Sequence, residues 1–255
     1  MIAFTAPQAK RLIEIVAGAS TLVGSLELLM VRQAFRDDGV WRWSTLSREL
    51  GILRWLLAYR PFVGLLLVRV VASGMLIGGI GRASVPVLWV TTLLISVRFR
   101  GAFNGGSDSM TMVVLTGLLI GQLGPAASLA VQIGLLYIAS QAILSYFIAG
   151  VVKLGNSEWR DGSALAVFIA RPEYGTPAPV TAWRERTLLL TVASWAVIGF
   201  ECLFPLALAH QYVAGALVLL AFLFHLGNAW VFGLNRFLWA WAASWPAILY
   251  AATIR

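Results

Sequence analysis

Residues 126–152 read AASLAVQIGLLYIASQAILSYFIAGVV, 27 consecutive positions without an Asp, Glu, Lys or Arg, and the run is closed by Lys153. At 1.5 Å of rise per residue a helix of that length reaches about 40 Å, more than the ~30 Å hydrocarbon core of a bilayer. Lipid offers no partner to an exposed peptide group, so a segment like this has to satisfy its backbone internally, as a helix.

The same pattern repeats outward from this stretch, with apolar runs at about 12–31, 61–80, 83–98, 109–123, 187–208, 212–232 and 236–254. They predict an all-α fold: a polytopic transmembrane bundle of about eight helices forming one membrane domain over residues 1–255. Pro61 suits a first helical turn, where no backbone hydrogen bond is lost, and Gly124–Pro125 separates two runs that would otherwise merge. The run at 83–98 is short for a span and follows Gly81 and Arg82, which leaves a second count open, seven helices and a re-entrant piece. Lys10 and Arg11 precede the first run, but its length and its Glu14 and Glu27 exceed the ~7 to 15 apolar residues of a secretory leader. Gly74 with Gly78 and Gly117 with Gly121 give small-residue faces where helix backbones are expected to approach closely.

Composition agrees. The chain is 60% hydrophobic and 12% charged, with a mean hydropathy of +0.83, against about 25% charged in a soluble domain. Nineteen basic and eleven acidic residues leave a net charge of +8. The arginines lie mainly between the apolar runs, where they act as topology signals and contacts for membrane lipids, and no long polar domain remains for nucleic acid. Counted with eight helices, they place the stretch 154–186 in the cytoplasm. Cys202 is the single cysteine and His210 and His225 the two histidines, so no internal disulfide and no metal site of the usual spacing is expected. Phosphate-binding glycine loops, nucleophile elbows and HExxH are absent from the sequence. No internal repeat is found.

Two stretches read as non-spanning. Within about 41–59, Trp43, Leu46, Leu50, Leu53 and Leu57 recur at helical spacing, with Arg42, Arg48, Glu49 and Arg54 elsewhere around the wheel. This predicts one amphipathic helix at the interface, either resting on anionic headgroups or serving as a gate or partner surface. Residues 154–186, with Pro172, Pro177, Pro179, Trp159 and Trp183, read as the one long polar loop.

Ionisable groups within the apolar runs are costly and each needs a partner or a purpose. They are Glu14, Glu27, Arg69, Asp108, Lys153, Glu201 and His225, the last accompanied by Asn228. Ion pairs inside the bundle, such as Glu27 or Glu201 with Arg69, account for some of them. Lys153 ends an apolar helix and is followed by Leu154 and Trp159. An amine kept from water gives up its proton more readily, the usual route to a lysine general base; the competing reading is a lysine snorkelling to the headgroups.

Residues 146–165, YFIAGVVKLGNSEWRDGSAL, resemble the signature of the HTTM family, the membrane domain shared with vitamin K-dependent gamma-glutamyl carboxylase. NGGSDS at 104–109, FECLFP at 200–205 and FHLGNAWVFGLNRF at 224–237 agree in order. By matched position the resemblance implies that Lys153 is the base that deprotonates a quinol, and that His225, with Asn228, helps to position an oxygen. Asp108, Glu201 and Trp159 join them as substrate-side residues. The quinone or quinol is the cofactor the resemblance implies. Two departures from the carboxylase stand out: Asp108 occupies a position where it has a histidine, and Lys153 is one residue farther from Trp159. The sequence also ends short of the carboxylase's large lumenal domain. The expectation is therefore a small bacterial member of the inner membrane, with its catalytic face outside, the opposite of what the arginine distribution implies.

Two functions follow as expectations. One is a proton-abstracting membrane enzyme or its remnant, acting on a quinol or a peptide at the membrane face. The other is a non-enzymatic accessory or scaffold subunit of a membrane complex, with Lys153 paired structurally. A proton-coupled transporter using Glu27, Arg69 and Glu201 is a third reading, weakened by the missing inverted repeat.

Overall fold

In the computed structural model, which describes residues 5–45, 51–99, 105–125 and 128–254, the chain is all-α, and no strand occurs among the described residues. Contacts divide it into two compact units, residues 6–134 and residues 135–255 with the extreme amino terminus.

The amino-terminal unit is built from α1 (Ala6–Met30), α2 (Tyr59–Gly78), α3 (Ser84–Arg98) and α4 (Gly105–Gly121), each of the last three packed on its predecessor. Lipid removes most of the hydrophobic driving force between apolar helices, so close packing and hydrogen bonds must hold them. Gly18 supplies the first: a Cβ there would lie 3.1 Å from the Ser73 carbonyl oxygen. Thr21 Oγ1 supplies the second, 2.8 Å from Ser73 Oγ. The α2 carboxyl end turns at Gly79, whose φ of 70° favours glycine. Arg11 donates to the carbonyls of Leu76, at 3.0 Å, and Ile77, neutralising the exposed end of that helix.

The expected glycine faces fare differently. A Cβ on Gly134 would strike the Gly117 carbonyl, and one on Gly121 would lie 3.6 Å from Val131 Cα, so the Gly117 and Gly121 face is a true close approach. A Cβ on Gly74 would meet nothing within 4 Å, and one on Gly78 only the Ile80 side chain. Of the interfacial helix expected at 41–59, the centre, with Leu46, Arg48, Glu49 and Leu50, lies outside the described residues; the described flanks form short turns at Trp43–Thr45, Gly51–Leu53 and Arg54–Leu57. Gly51 is a poor helix former, and Trp43 and Leu57 are drawn instead into a core with Leu28, Phe35, Phe62, Leu66 and Ile95.

In the carboxy-terminal unit, α5 (Leu129–Gly155) enters from its neighbour and leads to α6 (Ser163–Ala170), α7 (Thr187–Leu203), α8 (Gln211–Phe232), α9 (Asn235–Ala242) and α10 (Trp245–Ala251). The stretch 154–186 is not an irregular loop. It winds through short helical turns, and Ile169 and Val180 bury against Leu190 of α7. The run expected as a last single helix, 236–254, is broken at Ala243–Ser244 ahead of Pro246, which cannot continue an interior helix. Among the described residues, five helices are long and apolar enough to cross a membrane: α1, α2, α5, α7 with its 3-10 extension to Leu208, and α8. α3 and α4 are apolar but shorter.

Candidate active site

Helical periodicity in the carboxy-terminal unit aims three faces into one cavity. α5 contributes Tyr146, Ala149 and Lys153, α7 contributes Leu190, Ala193, Val197 and Glu201, and α8 contributes His225, Asn228 and Phe232. The cavity holds about 650 Å3, within the size range of small-molecule sites. Its walls are mostly aliphatic and aromatic, and Trp159, Phe168, Tyr174 and Trp183 of the folded 154–186 stretch complete them.

The approach of α5 to α7 depends on Gly150. A Cβ there would lie 2.6 Å from the Cys202 nitrogen and 2.9 Å from the Glu201 carbonyl carbon. One turn farther along α5, Lys153 Nζ donates to both carboxylate oxygens of Glu201, at 2.8 and 2.6 Å. The two side chains are 17% and 4% exposed. The ammonium also lies 5.1 Å from the centre of the Trp159 ring, a cation–π distance. Lys153 thus turns into the cavity instead of snorkelling outward. Glu201 receives Lys153, and within the amino-terminal unit Arg69 donates to Thr92 Oγ1 at 2.6 Å, Thr91 Oγ1 at 3.1 Å and the Leu88 carbonyl at 3.3 Å.

Trp159 owes its place to hydroxyls on α7. The turn Ser157–Arg160 is capped by Asn156, whose Oδ1 accepts from the Glu158 amide at 2.8 Å. Ser194 then donates to the Trp159 carbonyl, Thr191 to the Asp161 carbonyl at 2.7 Å, and the Trp195 indole to the Arg160 carbonyl at 3.1 Å. Gly162, with φ of 84°, permits the contact, since a Cβ would lie 2.6 Å from the Thr191 nitrogen. At the exposed edge, the Asp161 carboxylate accepts from the Ser163 amide at 2.9 Å, which holds its carboxyl below the usual aspartate range.

On the other side of the cavity His225 is buried, its Nε2 2.9 Å from the Tyr146 hydroxyl. Trp241 stacks on the imidazole, with centroids 5.3 Å apart and planes 21° apart, and Phe204 stacks on Tyr146 at 4.0 Å. Among the described residues, His225 Nδ1 has no hydrogen-bond partner. Lys153, Glu201, Trp159, His225 and Asn228 line one space. Asp108 belongs to the amino-terminal unit, in the first turn of α4, where a carboxylate suits the helix dipole. Of the motif NGGSDS, Asn104 lies outside the described residues. Tyr146 and Trp241 are the participants not singled out from sequence. Tyr146 had a signal, since it precedes Lys153 by two helical turns on the same face.

The HTTM domain model matches residues 129–252, a span that contains the entire lining of this cavity. Searches of curated proteins and of solved structures returned no match. With its apolar helices and this domain the chain is a membrane protein, and its carboxy-terminal half, residues 129–252, belongs to the HTTM family.

Proposed function

We propose that this chain is a membrane-embedded enzyme that takes a proton from a lipophilic substrate, a quinol or a membrane-bound peptide, in the bacterial inner membrane. The observation that carries the reading is the Lys153–Glu201 pair facing an otherwise apolar cavity of about 650 Å3. A buried ion pair is a poor stability device, because apolar side chains of similar volume often do as well, so its placement beside a cavity argues for chemistry. Lys153 is the residue that meets the acidic proton. Asn228 and the His225–Tyr146 pair orient the substrate's polar end, and Trp159 and Phe168 cover its apolar body.

The cavity suits a quinol, whose ring would find aromatic walls and whose hydroxyl would find an amine. When bound, it would supply the acidic hydroxyl and reducing equivalents. Glu14, a half-buried carboxylate in an apolar run near an amine, contacts Lys10 at 2.6 Å and Arg11 at 3.3 Å, and Arg11 in turn caps the carboxyl end of α2.

The second reading is an accessory subunit, in which the same ion pair ties α5 to α7. Purification in mild detergent separates the two. A lipophilic quinone extracted with the wild-type protein, and lost from Lys153→Gln while the fold is retained, supports the enzyme. A stoichiometric protein partner with no extractable small molecule, unaffected by Lys153→Gln, overturns it.

A further inference from the structure

This inference rests on the proton-abstraction reading and concerns where the proton ends. The charged side chains lining the cavity, Lys153 and Glu201, are bonded to each other. An ammonium has no lone pair, so Lys153 cannot accept a proton until it has lost one. The ammonium is held by the carboxylate oxygens at 2.8 and 2.6 Å and by the Trp159 ring at 5.1 Å. The group already placed to receive its proton is the Glu201 carboxylate. The other ionisable groups lining the site are Tyr146 and His225, engaged with each other, and Tyr174, whose ring packs edge-on against Phe232. In an apolar enclosure the ion pair bears desolvation on both partners, whereas an amine beside a carboxylic acid does not. Transfer between them is therefore far less uphill than in water.

We propose that Glu201 is the net proton acceptor of the site and Lys153 the relay. A Lys153 Nζ–H bond breaks as an O–H bond forms on Glu201. The freed lone pair on Nζ takes the proton of a bound, weakly acidic hydroxyl, whose oxygen keeps the electron pair. Nζ ends with three protons, Glu201 as a neutral acid, and the substrate oxygen as an anion beside the ammonium. The sum of charges is zero before and after, so neither a counter-ion nor a proton has to cross the apolar walls.

The test uses the whole protein in detergent and a para-nitrophenol bearing an octyl chain, at a pH where the dye is neutral in empty micelles. The expected result is a bound dye that is coloured as phenolate, with no proton released to an indicator in unbuffered solution. An infrared difference spectrum gains the C=O band of a protonated carboxylic acid. In Glu201→Gln the dye still binds, but the colour and the band are lost; Glu201→Asp, which keeps a carboxylate, regains part of both. Colour that persists in Glu201→Gln, or a proton released to bulk without the carboxyl band, overturns the proposal and leaves Glu201 as a positioning residue. Dye bound by the wild-type protein without colour overturns the proton-abstraction reading itself, and this inference with it.

Discussion

Arg98 of the amino-terminal unit and Lys153 of the carboxy-terminal unit both end apolar helices, and they are buried by different means. Arg98 is 0% exposed. Its guanidinium lies 4.7 Å from the Phe62 ring, 5.3 Å from Phe35 and 6.0 Å from Trp43, with one hydrogen bond, to the Trp41 carbonyl at 2.9 Å. Nε and Nη1 have no hydrogen-bond partner among the described residues. A planar, weakly hydrated cation can be packed between rings as if it were another ring. A compact ammonium cannot, and Lys153 is instead given a carboxylate and a space. The first arrangement closes a core, and the second holds an ionisable pair where a ligand can reach it.

The largest expected effect breaks the second arrangement. Lys153→Ala leaves the Glu201 carboxylate buried and unpaired, and unfolding in detergent should show a loss of roughly 3 kcal/mol, the lower end for a broken buried pair because Lys153 is partly exposed. The double variant Lys153→Met with Glu201→Leu should recover most of it. Equal losses in the single and double variants would show that the pair is not coupled, and the contrast with Arg98 would fail. At Arg98, the comparison predicts that Lys is the worse replacement. Arg98→Lys keeps the charge but loses the stacking, and should be less stable than Arg98→Met by about 2 kcal/mol, the scale of a desolvated cation–π contact. If Lys is tolerated better than Met, charge and not planarity is what the aromatic box requires.

A smaller effect tests how the Lys153–Glu201 pair is assembled. Gly150→Ala forces α5 away from α7 and should cost about 1 to 3 kcal/mol, typical of overpacking. It should also weaken the ion pair, visible as a changed carboxylate stretch of Glu201. Gly199→Ala is the control on α7: a Cβ there would meet nothing within 4 Å, so the substitution should be neutral or stabilising by about 0.5 to 1 kcal/mol from helix propensity alone.

The contrast also marks how far sequence reasoning reaches. The helix Leu129–Gly155 was legible in the run 126–152 because lipid permits little else. Lys153, Glu201, His225 and Asn228 were legible as one site because family motifs tie distant positions together. Arg98, at the edge of the run 83–98, carried no signal beyond the topology reading given to the arginines together, since hydropathy alone does not reveal rings arriving from Phe35, Trp43 and Phe62. Of the apolar stripe read at 41–59, Trp43 and Leu57 serve the unit's core, which hydropathy does not reveal either. Tyr146 was hidden by being aromatic in an apolar run, where its hydroxyl shows no purpose until His225 is placed opposite. The turn carrying Trp159 depends on Ser194 and Thr191, hydroxyls more than thirty residues away whose own helix reads only as a span.

A third kind of charge gives the smallest effect and the sharpest control. Asp161 is exposed, and its carboxyl is held below the usual aspartate range first by the backbone amide of Ser163. A carboxyl lowered in the folded state stabilises that state above the ordinary aspartate range, and the contribution disappears as pH falls through the lowered folded value. The Ser163 amide resonance should therefore titrate in acid, with its midpoint below that of a free aspartate, and stay flat in Asp161→Asn. Because water screens this site, the substitution should leave the Lys153–Glu201 carboxylate stretch unchanged at neutral pH. A matching change there would mean that the Asp161 turn sets the position of Trp159 over the ammonium, and that the surface charge and the buried pair belong to one unit.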